Sequence, residues 1–330
     1  MITIKDIAEQ AGVSFSTVSK ALRNSPLVKE HTKQHILSIA KEMGYQPNLA
    51  ARSLVSKKSG AIGVVWPSVE RAALSSLLTA LNDALEEEGY TVLLSISRLE
   101  AALDTFRRYQ VDAIIVFGDQ DSKLISESTL PPNTPIITYG AAGFHPWSTV
   151  DVKRGQSIRL ALRHLASLGH HHIAYIGDPQ TNDPLQTVKI EAFEDESGKL
   201  GLASGKQIIV PISGLDVHDG YMAMKQLIEQ GNVATAIISG GIDLTRGILR
   251  AAAEARLQVP QDISIVSYDN LPQLQSFEVP MTAVGVAITT ISEAIAQVII
   301  QLIGNQQRIQ TVHLEPELIV RSSTAPPASS

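Results

Sequence analysis

The sequence contains no cysteine, which excludes a disulfide framework, a thiolate metal site and a cysteine nucleophile. Aromatics are scarce, at 5% of 330 residues, so the core must be built mainly of Ala, Ile, Leu and Val. That composition suits α/β layers with buried parallel strands. The opening stretch MITIKDIAEQ carries acids and no long apolar run, unlike a signal peptide or a membrane span. A cytoplasmic location with no membrane partner is the expectation.

Hydrophobic residues make up 44% and charged residues 18%, an ordinary balance for a chain that buries a sizeable core. The length allows about two or three domains. The net charge of −6 argues by itself against a nucleic-acid partner, but its distribution reverses that argument. Residues 1–60 hold nine Lys/Arg against four Asp/Glu, whereas the rest holds 18 against 29. A basic head ahead of an acidic body concentrates attraction for phosphate at one end.

The head reads as three short helices. Ile4, Ile7, Ala8 and Ala11 fall on one face of the first, with Thr3 as N-cap. Gly12 breaks that helix, and Ser14 is placed to cap a second one with Val18, Ala21 and Leu22 inward. The third runs from about His31 to Met43 and stops at Gly44. Pro47 ends the unit, and Asn48 can cap a short segment before the junction at Lys57, Lys58, Ser59 and Gly60.

After residue 60 the pattern alternates between strands and helices. Apolar runs stand at 61–66, 91–96, 112–117, 135–139, 172–177, 235–239 and 263–267. Helix-length segments such as Ala72–Glu88, Gly155–Leu168 and Leu244–Ala255 lie between them. This predicts α/β layers, a mostly parallel sheet covered on both faces. So many strands exceed one comfortable sheet, which predicts two subdomains with several crossovers and no clean linker. The tail STAPPASS is expected to fray.

Function is carried by GVSFSTVSKAL (12–22), which follows an amphipathic helix after a one-glycine turn, the layout of a helix-turn-helix. Its second helix opens on small polar residues, Ser16, Thr17 and Ser19, which let a helix enter the major groove. Lys20 and Arg23 lie outward, suited to phosphate or guanine. An ordinary solvated helix capped by serines is the competing reading of the same spacing.

The stretch from Thr3 to Leu54, TIKDIAEQAGVSFSTVSKALRNSPLVKEHTKQHILSIAKEMGYQPNLAARSL, resembles the head of the lactose/galactose repressor (LacI/GalR) family. HLASLGHHHIAYIG, VPQDIS, DISIVSYDN and ELIVRSSTAPP extend the resemblance in order over nearly the whole chain, with one shortening near Ser97–Phe106. The resemblance implies a helix-turn-helix headpiece at 1–46, a hinge helix and linker at 47–60, and a two-lobed periplasmic-binding-protein-like body at 61–330. Lobe one is expected at about 61–168 and 272–305, and lobe two at about 169–271 and 306–324. It implies that Phe15, Ser16 and Lys20 face bases, and that Thr17, Ser19 and Thr32 touch phosphates or position the helix, with Thr3 and Arg23 beside them. Asn48, Ala51 and Leu54 match a hinge helix whose leucine wedges into a minor-groove base step. The resemblance also implies a repressor that binds a near-palindromic double-stranded operator as a homodimer, with the dimer interface in the body.

The resemblance also places Trp66, Ala73, Lys153, Arg154, Lys189, Gly241 and Asp269 around an interlobe ligand cleft. Here the sequence departs from the family. Ala73 stands where an aromatic is usual, Lys153-Arg154 replaces Asp-Asn, Gly241-Ile242 replaces Asn-Asp, and Lys189 replaces an arginine. A neutral sugar loses several partners by these changes, and the added cations suit a sugar phosphate or sugar acid.

His170-His171-His172 reads as a strand entry rather than a metal site, because successive strand side chains point to opposite faces. Gly240-Gly241 lacks the remaining dinucleotide fingerprint. No reactive constellation, metal site or cofactor motif is present, so an enzyme is not expected. A plain solute-binding protein without a DNA role remains the alternative, and the basic head argues against it.

Overall fold

The structure is a computed structural model that describes residues 2–22, 24–45, 58–66, 68–118, 134–140, 147–178, 183–202, 208–212, 214–231, 234–304 and 309–328. The chain divides into two compact units, Met1–Ser59 and Gly60–Ser330.

In the first unit, helix α1 (Ile4–Gln10) starts at a reciprocal cap. Thr3 Oγ1 accepts from the Asp6 N–H, and the Asp6 carboxylate accepts from the Thr3 N–H at 2.7 Å. Gly12 turns the chain at φ +63°, a left-handed conformation that costs glycine little. Helix α2 (Phe15–Leu22) follows, with Ser14 Oγ accepting from the Thr17 N–H at 3.2 Å. Helix α3 (Glu30–Glu42) ends in a turn through Gly44 at φ +66°. Ile7, Val18, Ala21, Ile36 and Ile39 bury the shared core. Full burial of one such aliphatic chain stabilises by about 1.5–3 kcal/mol, so this small core has little margin. The expected helices, caps and inward residues are all found. The expected Asn48 cap and hinge helix lie outside the described residues.

The second unit holds two six-stranded sheets. The first contains β1 (Ala61–Val65), β2 (Thr91–Ser95), β3 (Ala113–Phe117), β4 (Ile136–Tyr139), β5 (Ser148–Val152) and β11 (Thr311–Leu314), in the order β11-β5-β4-β3-β1-β2. All its pairings are parallel. Helices α4 (Ala72–Glu87) and α10 (Ile288–Ile303) cover one face, and α5 (Leu99–Tyr109) covers the other.

The second sheet contains β6 (Ile173–Gly177), β7 (Ile208–Pro211), β8 (Ala236–Ser239), β9 (Ser264–Asn270), β10 (Thr282–Ala287) and β12 (Glu317–Ile319), in the order β12-β10-β9-β8-β6-β7. Only β12 runs antiparallel to its neighbour among the pairings described. Helices α6 (Arg154–Ser167) and α7 (Pro184–Lys199) cover one face, and α8 (Val217–Glu229) and α9 (Ile242–Glu254) cover the other. All seven apolar runs named from the sequence are strands.

The lobe boundaries need three corrections. Helix α6, expected in lobe one, packs Ile158, Ala161 and Leu165 against Tyr175 and Phe193 of lobe two. Strand β10, expected in lobe one, pairs with β9 in the second sheet. Strand β11, expected in lobe two, pairs with β5 in the first. Each crossover occurs between adjoining elements, at Lys153, at Ala287–Ile288 and at 315–316, so no linker composition marks it. The tail is also ordered as far as residue 328. Ser323 Oγ donates to the Ile265 carbonyl at 2.6 Å, and the Ala325 N–H donates to Ser264 Oγ at 3.0 Å.

Candidate nucleic-acid interface and ligand cleft

Helix α2 buries Val18 and Ala21 and turns the opposite side to solvent. Phe15 is 53% exposed, and Ser16 and Lys20 are exposed as well. A phenylalanine held in water at the start of a short helix does nothing for the head's core. It offers an apolar contact to a base edge or a thymine methyl group. Thr17 and Ser19 are half-buried. Ser14 Oγ lies 2.9 Å from Ser16 Oγ and 2.8 Å from Thr17 Oγ1, so these hydroxyls are clustered at the helix entry. Thr3 Oγ1 donates to Asp6 at 2.9 Å, and Thr32 is half-buried with its hydroxyl 3.1 Å from His31 Nε2. Arg23, Asn48, Ala51 and Leu54 lie outside the described residues.

One positioning residue was missed. Lys33 is buried, donating to Asn24 Oδ1 at 2.6 Å and to Glu30 Oε2 at 3.1 Å. Asn24 sits at φ 55°, so Lys33 fixes a left-handed turn that ends α2 and sets the path to α3. A lysine on a polar helix gives no sequence signal of this inward role.

In the body, residues at the carboxyl ends of strands approach the other lobe, as where a Cβ at Gly140 after β4 would stand 3.5 Å from Arg154 and 3.7 Å from Leu185, and a cleft at such strand ends is the usual place for ligands. Trp66 follows β1 and is fully buried, with its ring 4.7 Å from that of Phe117, which is 5.5 Å from that of Tyr139. Ala73 packs against the lobe-two core. The preceding Ala72 N–H donates across the lobes to Asp243 Oδ2 at 2.9 Å.

The basic residues are unevenly placed. Arg154 is buried and forms an ion pair with Asp151, three residues back. Lys153 is half-exposed and forms an ion pair with Glu315, so its charge is already answered. Lys189 is 4% exposed. Its Nζ donates to the Gly240 carbonyl at 3.1 Å and stands 3.6 Å from the Tyr268 ring centroid. Burial pushes the Lys189 ammonium down to about 7, against the opposing pull of the Asp269 carboxylate. Burial raises the Asp269 carboxyl, while Lys189 and Arg71 hold it down.

Asp269 has φ 81°, a conformation uncommon for a residue with a side chain and frequent at ligand sites. A Cβ at Gly241 would sit 3.6 Å from Asp269 Oδ2, in ordinary contact. Lys189, Gly241 and Asp269 are therefore brought together, with Arg154 in electrostatic range of Lys189. Four further residues were missed: Arg71, Asp151, Tyr268 and Asp243. Asp151 lies in β5 and Arg154 opens α6, so helical spacing gives no signal for that pair. The others join the cleft only through tertiary folding.

Residues 3–48 match the bacterial regulatory proteins of the lacI family, and residues 162–324 match the periplasmic binding protein-like domain. The HTH-type transcriptional repressor PurR of Klebsiella pneumoniae subsp. pneumoniae is 27% identical over 335 residues, covering 98% of this chain and 97% of that relative. PurR of Proteus mirabilis is 28% identical, with the same shares covered. The lac repressor dimer bound to operator and the anti-inducer ONPF matches with a TM-score of 0.85 at 24% identity, covering 98% of this chain and 99% of that one. A CelR–cellobiose complex matches with a TM-score of 0.69 at 21% identity, covering 98% and 100%. At these identities the two structures speak for the fold.

A helix-turn-helix unit followed in sequence by a two-lobed binding-protein body defines a DNA-binding transcription regulator that responds to a small molecule. The chain carries a helix-turn-helix head like that of the bacterial lacI-family regulatory proteins, together with a periplasmic binding protein-like domain. Among the described residues no helix is long and apolar enough to cross a membrane.

Proposed function

We propose that the protein is a repressor that binds a near-palindromic operator as a homodimer, with its affinity set by a sugar or sugar-derived anion in the interlobe cleft. The observation that carries this reading is the exposed trio Phe15, Ser16 and Lys20 on α2, opposite the buried Val18 and Ala21. Such a face suits entry into a major groove. The repressor sense rests on the PurR relatives, and the dimer and operator on the lac repressor complex. The sugar class rests on ligands in related structures, cellobiose in CelR and ribose in an Enterococcus faecium regulator. An operator-binding role places the protein in the cytoplasm, and the relatives are repressors rather than enzymes.

In this reading Thr3, Thr17, Ser19, Arg23 and Thr32 hold or touch the phosphate backbone, and Asn48, Ala51 and Leu54 form the hinge contact. A short helix of that kind is unstable alone in water, so its ordering on DNA gives the body a means of control. Trp66, Ala73, Arg154, Lys189, Gly241 and Asp269 line the ligand cleft, with Lys153 at its edge.

Selection from a random duplex pool tests the reading. A two-fold symmetric consensus is expected, because two-fold symmetry in the protein requires it in the site. Recovery of unrelated sequences would overturn the proposal.

A further inference from the structure

The three cleft cations Arg71, Arg154 and Lys189 draw on carboxylates that are mostly engaged elsewhere. Arg71, Arg154 and Lys189 act on one another's surroundings, since the charges of both arginines bear on Lys189. Asp151 is occupied by Arg154. Asp243 accepts from the Ala72 N–H and faces Arg246 at 3.6 Å. Asp183 also pulls on Lys189 but is held as a helix cap by the Leu185 N–H, and Asp269 answers both Lys189 and Arg71 while accepting from the Ile242 backbone.

The shortage shows in the hydrogen bonds. Arg71 Nε is buried without a partner, and so is Trp66 Nε1. Buried donors without acceptors are costly, more so for a charged group. Burial pushes the Lys189 ammonium down to about 7, with Asp269 and Asp183 pulling it up and Arg154 and Arg71 pushing it further down. Nearby, the Tyr175 hydroxyl is also buried and unpartnered, 3.2 Å from where a Gly240 Cβ would stand, so a neutral hydroxyl of the ligand has a partner too.

We propose that the cleft ligand carries an oxyanion, a carboxylate or phosphate, seated against Arg71 and Lys189. This rests on the ligand-responsive reading above and narrows it to one chemical class. The anion supplies the acceptor that the buried Arg71 Nε lacks. Arg154, fixed by Asp151, positions the site electrostatically and is not left to make the main contact. Binding then restores the charge on Lys189, so the complex takes up protons above neutral pH.

The test uses the full chain in sodium chloride, sodium phosphate or sodium malonate at equal ionic strength, with thermal melting as the readout. Phosphate or malonate is expected to raise the melting temperature by roughly 3 °C when present at about ten times its dissociation constant. Phosphate acting alone assigns a phosphate site, and malonate acting alone assigns a carboxylate site. The shift should vanish in Arg71→Met and persist in Lys20→Ala, which separates the cleft from the basic head. Calorimetry in two buffers of different ionisation enthalpy should show proton uptake at pH 8 that Lys189→Met abolishes. If Arg71→Met fails to melt cooperatively in chloride, Arg71→Gln takes its place. Equal melting temperatures in all three salts, or shifts unchanged in the Arg71 and Lys189 variants, overturn the proposal. Since DNA selection reads the head alone, a symmetric consensus without anion stabilisation removes this inference and leaves the regulator reading standing.

Discussion

The Ala72 N–H and the Asp243 carboxylate meet at 2.9 Å and join the first turns of α4 and α9, one from each lobe. The backbone donor would otherwise be one of the unsatisfied N–H groups of the α4 N-terminus. A second bridge, from Gln273 Nε2 to Ser76 Oγ at 3.0 Å, lies on the same helix. Together they link the lobes at the mouth of the cleft. A ligand that strengthens or breaks this contact shifts the balance between lobe arrangements by its difference in affinity for them.

Asp243→Ala is therefore expected to loosen the two lobes. A net loss of about 1–2 kcal/mol corresponds to a fall of roughly 2–8 °C in melting temperature for a domain of this size. The same variant should change ligand affinity while leaving the isolated selectivity of the head for its DNA half-site unaltered. Thermal melting with and without ligand, beside a DNA-binding titration, checks both parts.

The Asp151–Arg154 pair carries a larger cost. Removing one partner of a buried ion pair typically costs about 3–5 kcal/mol, because the remaining charge has no compensation. Asp151→Ala is expected to lower the urea midpoint sharply. The double variant Asp151→Leu/Arg154→Met should recover much of that loss, since it removes the stranded charge as well. A double variant as unstable as the single one would contradict this account of the crossover.

In the head, Lys33→Ala should free Asn24 and destabilise the turn between α2 and α3. Operator affinity is expected to fall about 5- to 30-fold through loss of roughly 1–2 kcal/mol of ordering, with ligand binding by the body unchanged. Phe15→Ala is expected to weaken binding by about 1–3 kcal/mol at specific sequences and to relax base preference at one position. If Lys20 meets phosphate, Lys20→Ala should instead weaken all sequences alike and reduce the salt slope by about one. Binding measured on a panel of duplexes separates the two outcomes.

His170 gives an expected pH dependence. It is buried, with Nδ1 2.8 Å from Thr235 Oγ1 and Nε2 2.8 Å from the Ala325 carbonyl oxygen. Burial holds its proton affinity below that of an ordinary histidine, although the Ala325 hydrogen bond opposes this. His164, 3.0 Å from Thr324 Oγ1, is lowered in the same direction, first by burial and then by His170. Unfolded histidines take up protons near pH 6.5, before the folded ones do. Stability from these groups is thus fully present above that pH and is lost as pH falls through the lower folded values. His170→Asn should flatten the slope of stability against pH below 6.5, measured by urea denaturation. An unchanged slope in both His164 and His170 variants would contradict the assignment.

The parts of this protein that the sequence made legible are the local ones. Thr3, Gly12, Ser14 and Gly44 mark helix ends through their own backbone and side-chain chemistry, and each does so in the structure. Apolar strand runs are likewise visible because a strand covered on both faces must be apolar throughout. What stayed hidden is non-local. Lys153 looked like a cleft cation because Glu315, 162 residues away, cannot be paired with it from sequence. Arg71 gave no signal at all, and its place in the cleft follows from how α4 meets α9. The lobe crossovers were missed because a crossover at Lys153 or Ala287 needs no special residue. The tail was expected to fray because its composition is that of a loop. Its order comes from hydrogen bonds to Thr282, Ser264 and Ile265, contributed by the second sheet.

Measuring how operator affinity depends on salt tests most directly the claim that the first unit reads duplex DNA through its basic face. The selected duplex and a scrambled one should be titrated with the full chain from 50 to 200 mM salt. If about 6–10 phosphates are contacted, affinity should fall roughly 10³–10⁵-fold across that range, with the selected duplex bound more tightly throughout. Equal affinity for both duplexes, or a flat dependence on salt, would contradict it.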